Sequence, residues 1–332
     1  MEICDKDNNK IGSRKQEAGS RKQEAGSSND ELKILICYHK PYTMPNNDEN
    51  IFLPIHVGKK LSDLNLDMQT DCDVNGEECD NISDQNNYYC ELTAMYWAWK
   101  NIKKLYPNLK YIGLYHYRRF FAFDEKEFFA TRIIKTENYI KNYKIDPEKV
   151  MNILKKDYAI INSPVDLPCS ISYQWPSWYK FLKDAIYDKT PDYCATFEKF
   201  FNKNKYASFN MFIMKYDDFV KCCEWLFKVM SAFDEKNPKR ELRINGRLSE
   251  VVFQVWFIKN KIKCKYLNVY ECFDNTDGPQ KTYLRNLMWF IIRFGGWCLN
   301  NFSYRLLKFS LNVLRFARNT KGFNFVKKLK GL

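Results

Sequence analysis

The stretch Leu32-Lys33-Ile34-Leu35-Ile36-Cys37-Tyr38-His39-Lys40-Pro41 decides the reading of the fold. Its short apolar, partly β-branched run reads as a buried strand, and the proline just past its polar end forces the chain out into loop. The same grammar recurs downstream. Residues 88–104 have helical spacing with Leu92, Met95, Tyr96 and Trp99 on one face, Pro107-Asn108 stop the helix, and Tyr111-Ile112-Gly113-Leu114-Tyr115 forms a second buried strand ending in His116-Tyr117-Arg118-Arg119. A helical stretch at 146–156 leads to a third strand, Tyr158-Ala159-Ile160-Ile161, closed by Asn162-Ser163-Pro164. Strand and helix alternating at these spacings predict an α/β fold with a mainly parallel sheet flanked by helices.

Further along, the pattern predicts a helix at 192–201, a fourth strand over Ser208-Phe209-Asn210-Met211-Phe212-Ile213-Met214 and a helix at 217–229. A polar loop at 234–248 carries Gly246, a helix opens at Ser249-Glu250 and runs to about 259, and Tyr266-Leu267-Asn268-Val269-Tyr270 is a late strand. The acid-rich segment 63–87 reads as one long loop, a place where function often resides.

The 332 residues, 45% of them hydrophobic and 28% charged, can bury a substantial core, which excludes collagen, simple repeat arrays and disorder along the whole chain. The net charge of +13 is concentrated. No acidic residue follows Asp277, whereas eleven basic ones lie between Lys281 and Lys330, so residues 1–280 keep only +2. Within that tail Trp289, Phe290, Trp297, Leu306 and Leu311 alternate with Arg and Lys, and its longest uncharged run, 294–304, is far short of the roughly twenty residues a spanning helix needs. An amphipathic helical tail over 281–332, meeting an anionic membrane surface through residues 285–330, is the expectation; a helix packed on the domain is the alternative. No nucleic-acid recognition module is visible. Residues 12–25 are a tandem heptad, Gly-Ser-Arg-Lys-Gln-Glu-Ala twice, with nothing large to bury, so 1–31 is expected to be a disordered leader and 32–280 the folded domain. There is no basic n-region with an apolar run at the start and no C-x-x-C, so the twelve cysteines read as reduced thiols in a cytoplasmic protein.

Ligands of parallel sheets bind at the carboxyl ends of strands, where His39, Lys40, His116, Arg118 and Arg119 fall. A cationic rim of this kind suits a diphosphate. Either histidine alone reads equally well as structural. Ser249-Glu250 satisfies helix-start chemistry, and a carboxylate there could also act as a general base. Asp80-Asn81-Ile82-Ser83 combines turn formers with hydroxyl-binding groups, and Asp71-Cys72-Asp73 is a weak metal-ligand signal. The absence of G-x-G-x-x-G, P-loop, G-x-S-x-G and H-E-x-x-H motifs weighs against dinucleotide oxidoreductases, P-loop kinases, α/β-hydrolases and zincins.

Several segments, taken in order over about residues 32–272, resemble the DUF4422 family of capsule and lipopolysaccharide gene clusters. They are His39-Lys40-Pro41-Tyr42, Leu53-Pro54-Ile55-His56-Val57-Gly58, Asp80-Asn81-Ile82-Ser83 with Asn86, Tyr89-Cys90-Glu91 through Asn101, Tyr111 through Phe121, Phe209-Asn210-Met211-Phe212-Ile213-Met214, and Gly246-Arg247-Leu248-Ser249-Glu250. Around 165–190, where that family often carries a histidine, this chain has Tyr173-Gln174-Trp175-Pro176-Ser177-Trp178-Tyr179, a departure that bears on acceptor specificity.

The resemblance implies a GT-A-like, Rossmann-type glycosyltransferase that moves a hexose from a nucleotide sugar, a UDP-hexose by expectation, to a glycan or lipid-linked acceptor at the inner face of the cytoplasmic membrane. Where that fold normally carries a metal-binding D-x-D, this chain has His116-Tyr117-Arg118-Arg119, so Arg118 and Arg119 are expected to replace the metal and His116 to join the catalytic groups; no cofactor is then required, with Mn²⁺ or Mg²⁺ left open. Glu250 is the implied base. His39, Lys40, Tyr42, Asp80, Asn81 and Ser83 are implied on the nucleotide sugar, and Asn210 and Arg247 on the acceptor. The competing expectation is a non-catalytic sugar-nucleotide or glycan-binding module that docks a polysaccharide assembly complex at the membrane.

Overall fold

The computed structural model describes residues 28–47, 50–124, 132–166 and 176–273. The expected leader before residue 28, residues 167–175 and the basic tail lie outside the described residues.

Fourteen strands are described: β1 Leu32–Tyr38, β2 Phe52–His56, β3 Gln69–Thr70, β4 Asp73–Val74, β5 Glu77–Glu78, β6 Tyr111–His116, β7 Arg119–Phe121, β8 Arg132–Thr136, β9 Tyr158–Asn162, β10 Val165–Asp166, β11 Lys205–Tyr206, β12 Phe212–Lys215, β13 Lys263–Leu267 and β14 Val269–Phe273. The helices are α1 Asn86–Tyr89, α2 Leu92–Leu105, α3 Asn138–Lys141, α4 Pro147–Leu154, α5 Pro176–Lys189, α6 Cys194–Phe201, α7 Tyr216–Lys236 and α8 Ile244–Lys259. The main sheet runs β13-β9-β12-β6-β1-β2-β3. β1 lies parallel between β2 and β6, β13 is parallel to β9, and β12 enters antiparallel to both β6 and β9. β7, β8 and β14 form an extension hung on the end of β6.

Alternation along β1 splits the core in two. Leu35 and Cys37 face α2, α7 and α8, together with Leu114, Phe212, Met214 and Ile161. Ile34, Ile36 and Tyr38 face the other way, onto Tyr115, Phe120, Phe121, Tyr143, Val150 and Leu154. A strand buried on both faces needs apolar residues at every position, which is why β1 reads as a continuous run. Its one charged member, Lys33, is also buried and donates to Asn50 O at 2.6 Å, with Asp30 3.3 Å away. At the crossing of β6 with β1 and β12, a Cβ on Gly113 would sit 3.0 Å from Ile34, Ile213 and the Phe212 carbonyl, so only glycine lets the strands pack at this spacing.

The mainly parallel α/β sheet expected from the sequence is present. Four local expectations are corrected. The segment 63–87 is not one loop: β3 adds to the sheet edge parallel to β2, and Trp97 Nε1 donates to Asp73 O at 2.8 Å, clamping β4 to α2. The 88–104 helix is two helices broken at Cys90, whose φ is +52°. The fourth strand starts only at Phe212, because Phe209 and Asn210 adopt φ of +83° and +50°. The last helix begins at Ile244, not Ser249, with Arg243 at φ +64° as its N-cap. Ser249 is therefore an interior residue whose hydroxyl donates back to Gly246 O at 2.8 Å.

Candidate functional site

The parallel strands β1, β2 and β6 end side by side. Cys37 is in register with His116 and Tyr38 with His56, and His39 follows directly, so all three histidines of the chain collect at one edge of the sheet. Beside them Tyr117, itself buried, is the hub of a cation–aromatic cluster. His39 and Tyr42 meet its ring edge-on at 5.1 and 4.9 Å between centroids, Lys40 lies 5.8 Å from it, and the Arg118 guanidinium 5.0 Å. No carboxylate among the described residues pairs with Lys40 or Arg118. Partial desolvation and the charges of Lys40, Arg118 and Arg243 hold His39 below the usual imidazole range, as expected of a site with a positive field.

Arg119 has a different task from its neighbour. Its Nε and Nη2 both donate to Glu271 Oε1 of β14, at 3.0 and 2.9 Å, and its guanidinium stacks on Phe209 at 4.2 Å. Of the two arginines expected together on a diphosphate, Arg119 is engaged by Glu271, while Arg118 lies against Tyr117. Arg119 ties the extension to the sheet, because removing a charged partner from the buried Glu271 would be costly.

Next to the cationic cluster the site turns from donors to acceptors. The left-handed residues Phe209 and Asn210 present a carbonyl and an amide to β6 and α2. Phe209 O lies 2.6 Å from His116 Nε2, and Asn210 Nδ2 donates to Glu91 Oε1 at 2.7 Å, to Ser249 Oγ at 2.9 Å and to Gly246 O at 3.0 Å. Glu91 Oε1 is 4.0 Å from His116 Nε2. Burial, with Arg119 and Arg243, depresses the His116 imidazole below its ordinary range against the opposing pull of Glu91. A non-glycine φ of +83° at an aromatic residue is strained, and such strain gathers where geometry must be held for function. Glu91 was invisible in the sequence as anything but a helix position.

Helix α8 meets the site through Gly246 O and Ser249 Oγ, both accepting from Asn210. Arg243 holds its charge firmly: the Cys90 sulfur, Glu91 and Glu250 all favour its protonated form. Its charge also acts on His39 and His116, lowering both imidazoles. Glu250 is half-buried, two helical turns beyond Arg243, and not at the helix N-terminus expected of it; Arg247, one turn beyond Arg243, is exposed. Gly246 permits the contact of α8 with the α1–α2 turn, since a Cβ there would meet Cys90 Cβ at 3.0 Å and Tyr89 O at 3.2 Å.

The loop motifs serve the frame. Asp71 is fully buried and accepts from Gly58 N at 2.7 Å, Lys59 N at 3.2 Å and Ser83 Oγ at 2.5 Å. Asp73 accepts from Thr70 and from Gly76 N. Asp71-Cys72-Asp73 is thus a turn-building unit, and no metal-binding cluster occurs among the described residues. Asp80 accepts from Tyr96 OH at 3.1 Å, Asn81 donates to Cys79 O at 2.6 Å and accepts from Ser83 N at 3.1 Å, and Ser83 is buried beneath the Gly58 turn. These three sit together, but their polar groups are engaged with the chain itself.

Comparison with known proteins agrees with this architecture. A search of curated proteins finds no match. Among solved structures, the apo structure of WbbM, a bifunctional glycosyltransferase, superposes with a TM-score of 0.63 at 25% identity over 73% of this chain. The chain spans 45% of the length of that protein. The fold is therefore GT-A-like, as the sequence resemblance implied. The model of a domain of unknown function, DUF4422, matches residues 33–261, and the chain belongs to that family.

Proposed function

We propose that this protein is a glycosyltransferase that moves a hexose from a nucleotide sugar, a UDP-hexose in the first instance, to a hydroxyl of a glycan or lipid-linked acceptor in the assembly of a bacterial surface polysaccharide. The observation that carries the reading is the paired chemistry at the carboxyl ends of β1 and β6: the cations Lys40 and Arg118 around Tyr117 on one side, Glu91 and His116 on the other. A diphosphate requires the first and a sugar the second. The likeness to a glycosyltransferase structure supports it.

In the reaction, Lys40, Arg118 and Arg243 neutralise the departing nucleoside diphosphate, the electrostatic task a metal performs in related folds. His39 and Tyr42 flank the nucleotide. Glu250 takes the proton of the acceptor hydroxyl; the oxygen forms its bond to the anomeric carbon as the bond to the phosphate oxygen breaks, inverting the centre. The acid-free basic segment beyond Lys281 supports placing the enzyme on an anionic membrane surface, beside a lipid-linked acceptor.

The test is transfer of labelled hexose with excess chelator present. Turnover should persist, and Glu250→Gln should lower kcat by about 10²-fold or more while leaving donor affinity near that of the parent. Complete loss in chelator, restored by Mn²⁺ or Mg²⁺, overturns the cation-for-metal assignment, and normal turnover of Glu250→Gln overturns the base. Binding of nucleotide sugar without any transfer or hydrolysis would instead favour a non-catalytic binding module.

A further inference from the structure

The acceptor side of the cleft has a property beyond the proposed reaction. His116 Nε2, 2.6 Å from a backbone carbonyl, can only be the protonated ring nitrogen, because a carbonyl oxygen has no proton to give. The neutral ring then carries its lone pair on Nδ1. No hydrogen bond to Nδ1 is present among the described residues, and Nδ1 is not among the atoms sealed from solvent. Glu91 is arranged in the same way. Oε1 is held by Asn210 at 2.7 Å, while Oε2 receives no donor among the described residues and is likewise not sealed. The two side chains meet through their engaged atoms, Glu91 Oε1 and His116 Nε2 at 4.0 Å, and each keeps one acceptor, Oε2 and Nδ1, that meets no donor among the described residues, at the sheet end that also carries Lys40 and Arg118.

We infer that Glu91 Oε2 and His116 Nδ1 form the subsite for the transferred sugar and select a neutral hexose with free hydroxyls. The inference rests on the proposed nucleotide-sugar reading, since the sugar is joined to the diphosphate and must lie beside its cationic site. Hydroxyls are the donors such a pair requires. A hexuronate is repelled by the Glu91 carboxylate, and a sugar lacking the hydroxyl leaves a charged acceptor unpaired, which a site built on hydrogen bonds discriminates strongly. Asn210 is a positioning residue here: its amide orients the carboxylate and its backbone shape, with that of Phe209, fixes the imidazole.

The experiment is calorimetric titration of the full-length protein with UDP, UDP-glucose, UDP-galactose and UDP-glucuronate, together with GDP and GDP-mannose. The parent protein should bind one nucleoside diphosphate hexose at least about tenfold more tightly than its bare nucleotide and bind UDP-glucuronate no better than UDP. Glu91→Gln should erase that hexose increment while leaving bare-nucleotide affinity within about twofold. His116→Gln, whose amide can still donate to Phe209 O, should reduce it in the same sense and keeps the test available if Glu91→Gln does not fold. Equal loss of nucleotide and nucleotide-sugar affinity in either variant, an unchanged increment, or tight binding of the hexuronate overturns the subsite. If the parent protein binds no nucleotide at all, the nucleotide-sugar reading itself is what fails.

Discussion

At the residue scale, adjacent and chemically identical side chains have been given opposite duties. Arg118 and Arg119 are indistinguishable in the sequence, yet one stacks beside Tyr117 and Phe273 and the other is locked onto buried Glu271. The position in the hairpin explains it: Arg118 lies in the turn between β6 and β7, whereas Arg119 opens β7 and lies opposite Glu271 in the β7–β14 ladder. Arg119→Ala should therefore cost about 2–3 kcal/mol of folding stability, read from the urea midpoint, because the buried carboxylate loses a cationic partner that donates to it twice. Arg118→Ala should stay within about 0.5 kcal/mol of the parent and instead weaken nucleotide binding. The reverse pattern would undo this division. Glu91 illustrates the other limit of a sequence reading: a helix-start glutamate is commonplace, and only its meeting with Asn210, 119 positions away, marks it.

At the scale of elements, the site depends on how closely α8 approaches the α1–α2 turn. Glycine inside a helix is normally replaced by alanine at a gain of up to about 1 kcal/mol. At Gly246 the sign should invert. The added methyl would press on Cys90 and the Tyr89 carbonyl, so Gly246→Ala is expected to lose about 1–2 kcal/mol and to lower sugar transfer by displacing Arg243 and Glu250 from the cleft. A gain in thermal midpoint with unchanged transfer would show that the helix has room. Sequence periodicity found the body of α2, α4, α7 and the parallel strands β1, β6 and β9, whose apolar patterns are dictated by burial on a sheet, but not β2 or β3 at its edge. It missed the start of α8, because Arg243-Ile244-Asn245-Gly246 lacks an ordinary cap and the helix is held instead by tertiary bonds: Arg243 N donates to Asn87 O at 2.8 Å, and Asn245 donates to Asp234 at 2.9 Å. Asp234 also receives Tyr89 OH at 2.8 Å and Arg240 at 2.9 Å, so one carboxylate joins α7, α1 and the entry to α8.

For the whole molecule, the gathering of His39, His56 and His116 at one sheet edge should be felt in the dependence of stability on pH. All three are held below their ordinary value of 6.5, each chiefly by desolvation, and neighbouring cations add to the effect. The folded state therefore binds fewer protons than the unfolded chain once pH falls through about 6.5, and stability must drop with falling pH in that window. Unfolding free energy measured by urea should be level above about pH 7.5 and decline between about pH 7 and 5, with His116→Gln flattening part of the slope. A curve that is level through this range would show that the histidines are not desolvated in solution.

The sequence by itself determined the sheet and its polar edge: continuous apolar runs at 32–38 and 111–115 can be satisfied only by burial on both faces, and the residues that follow them must emerge at the carboxyl ends. It also determined that the charge of the tail is separate from the nearly neutral body. Only the tertiary structure decided which polar residues are engaged by the frame, as Asp71, Ser83 and Arg119 are, and which pair of acceptors, Glu91 and His116, is brought together at the cleft. The physical reason is range: burial pattern is a local property of consecutive residues, whereas a hydrogen-bond partner is chosen by the packing of elements far apart in the chain.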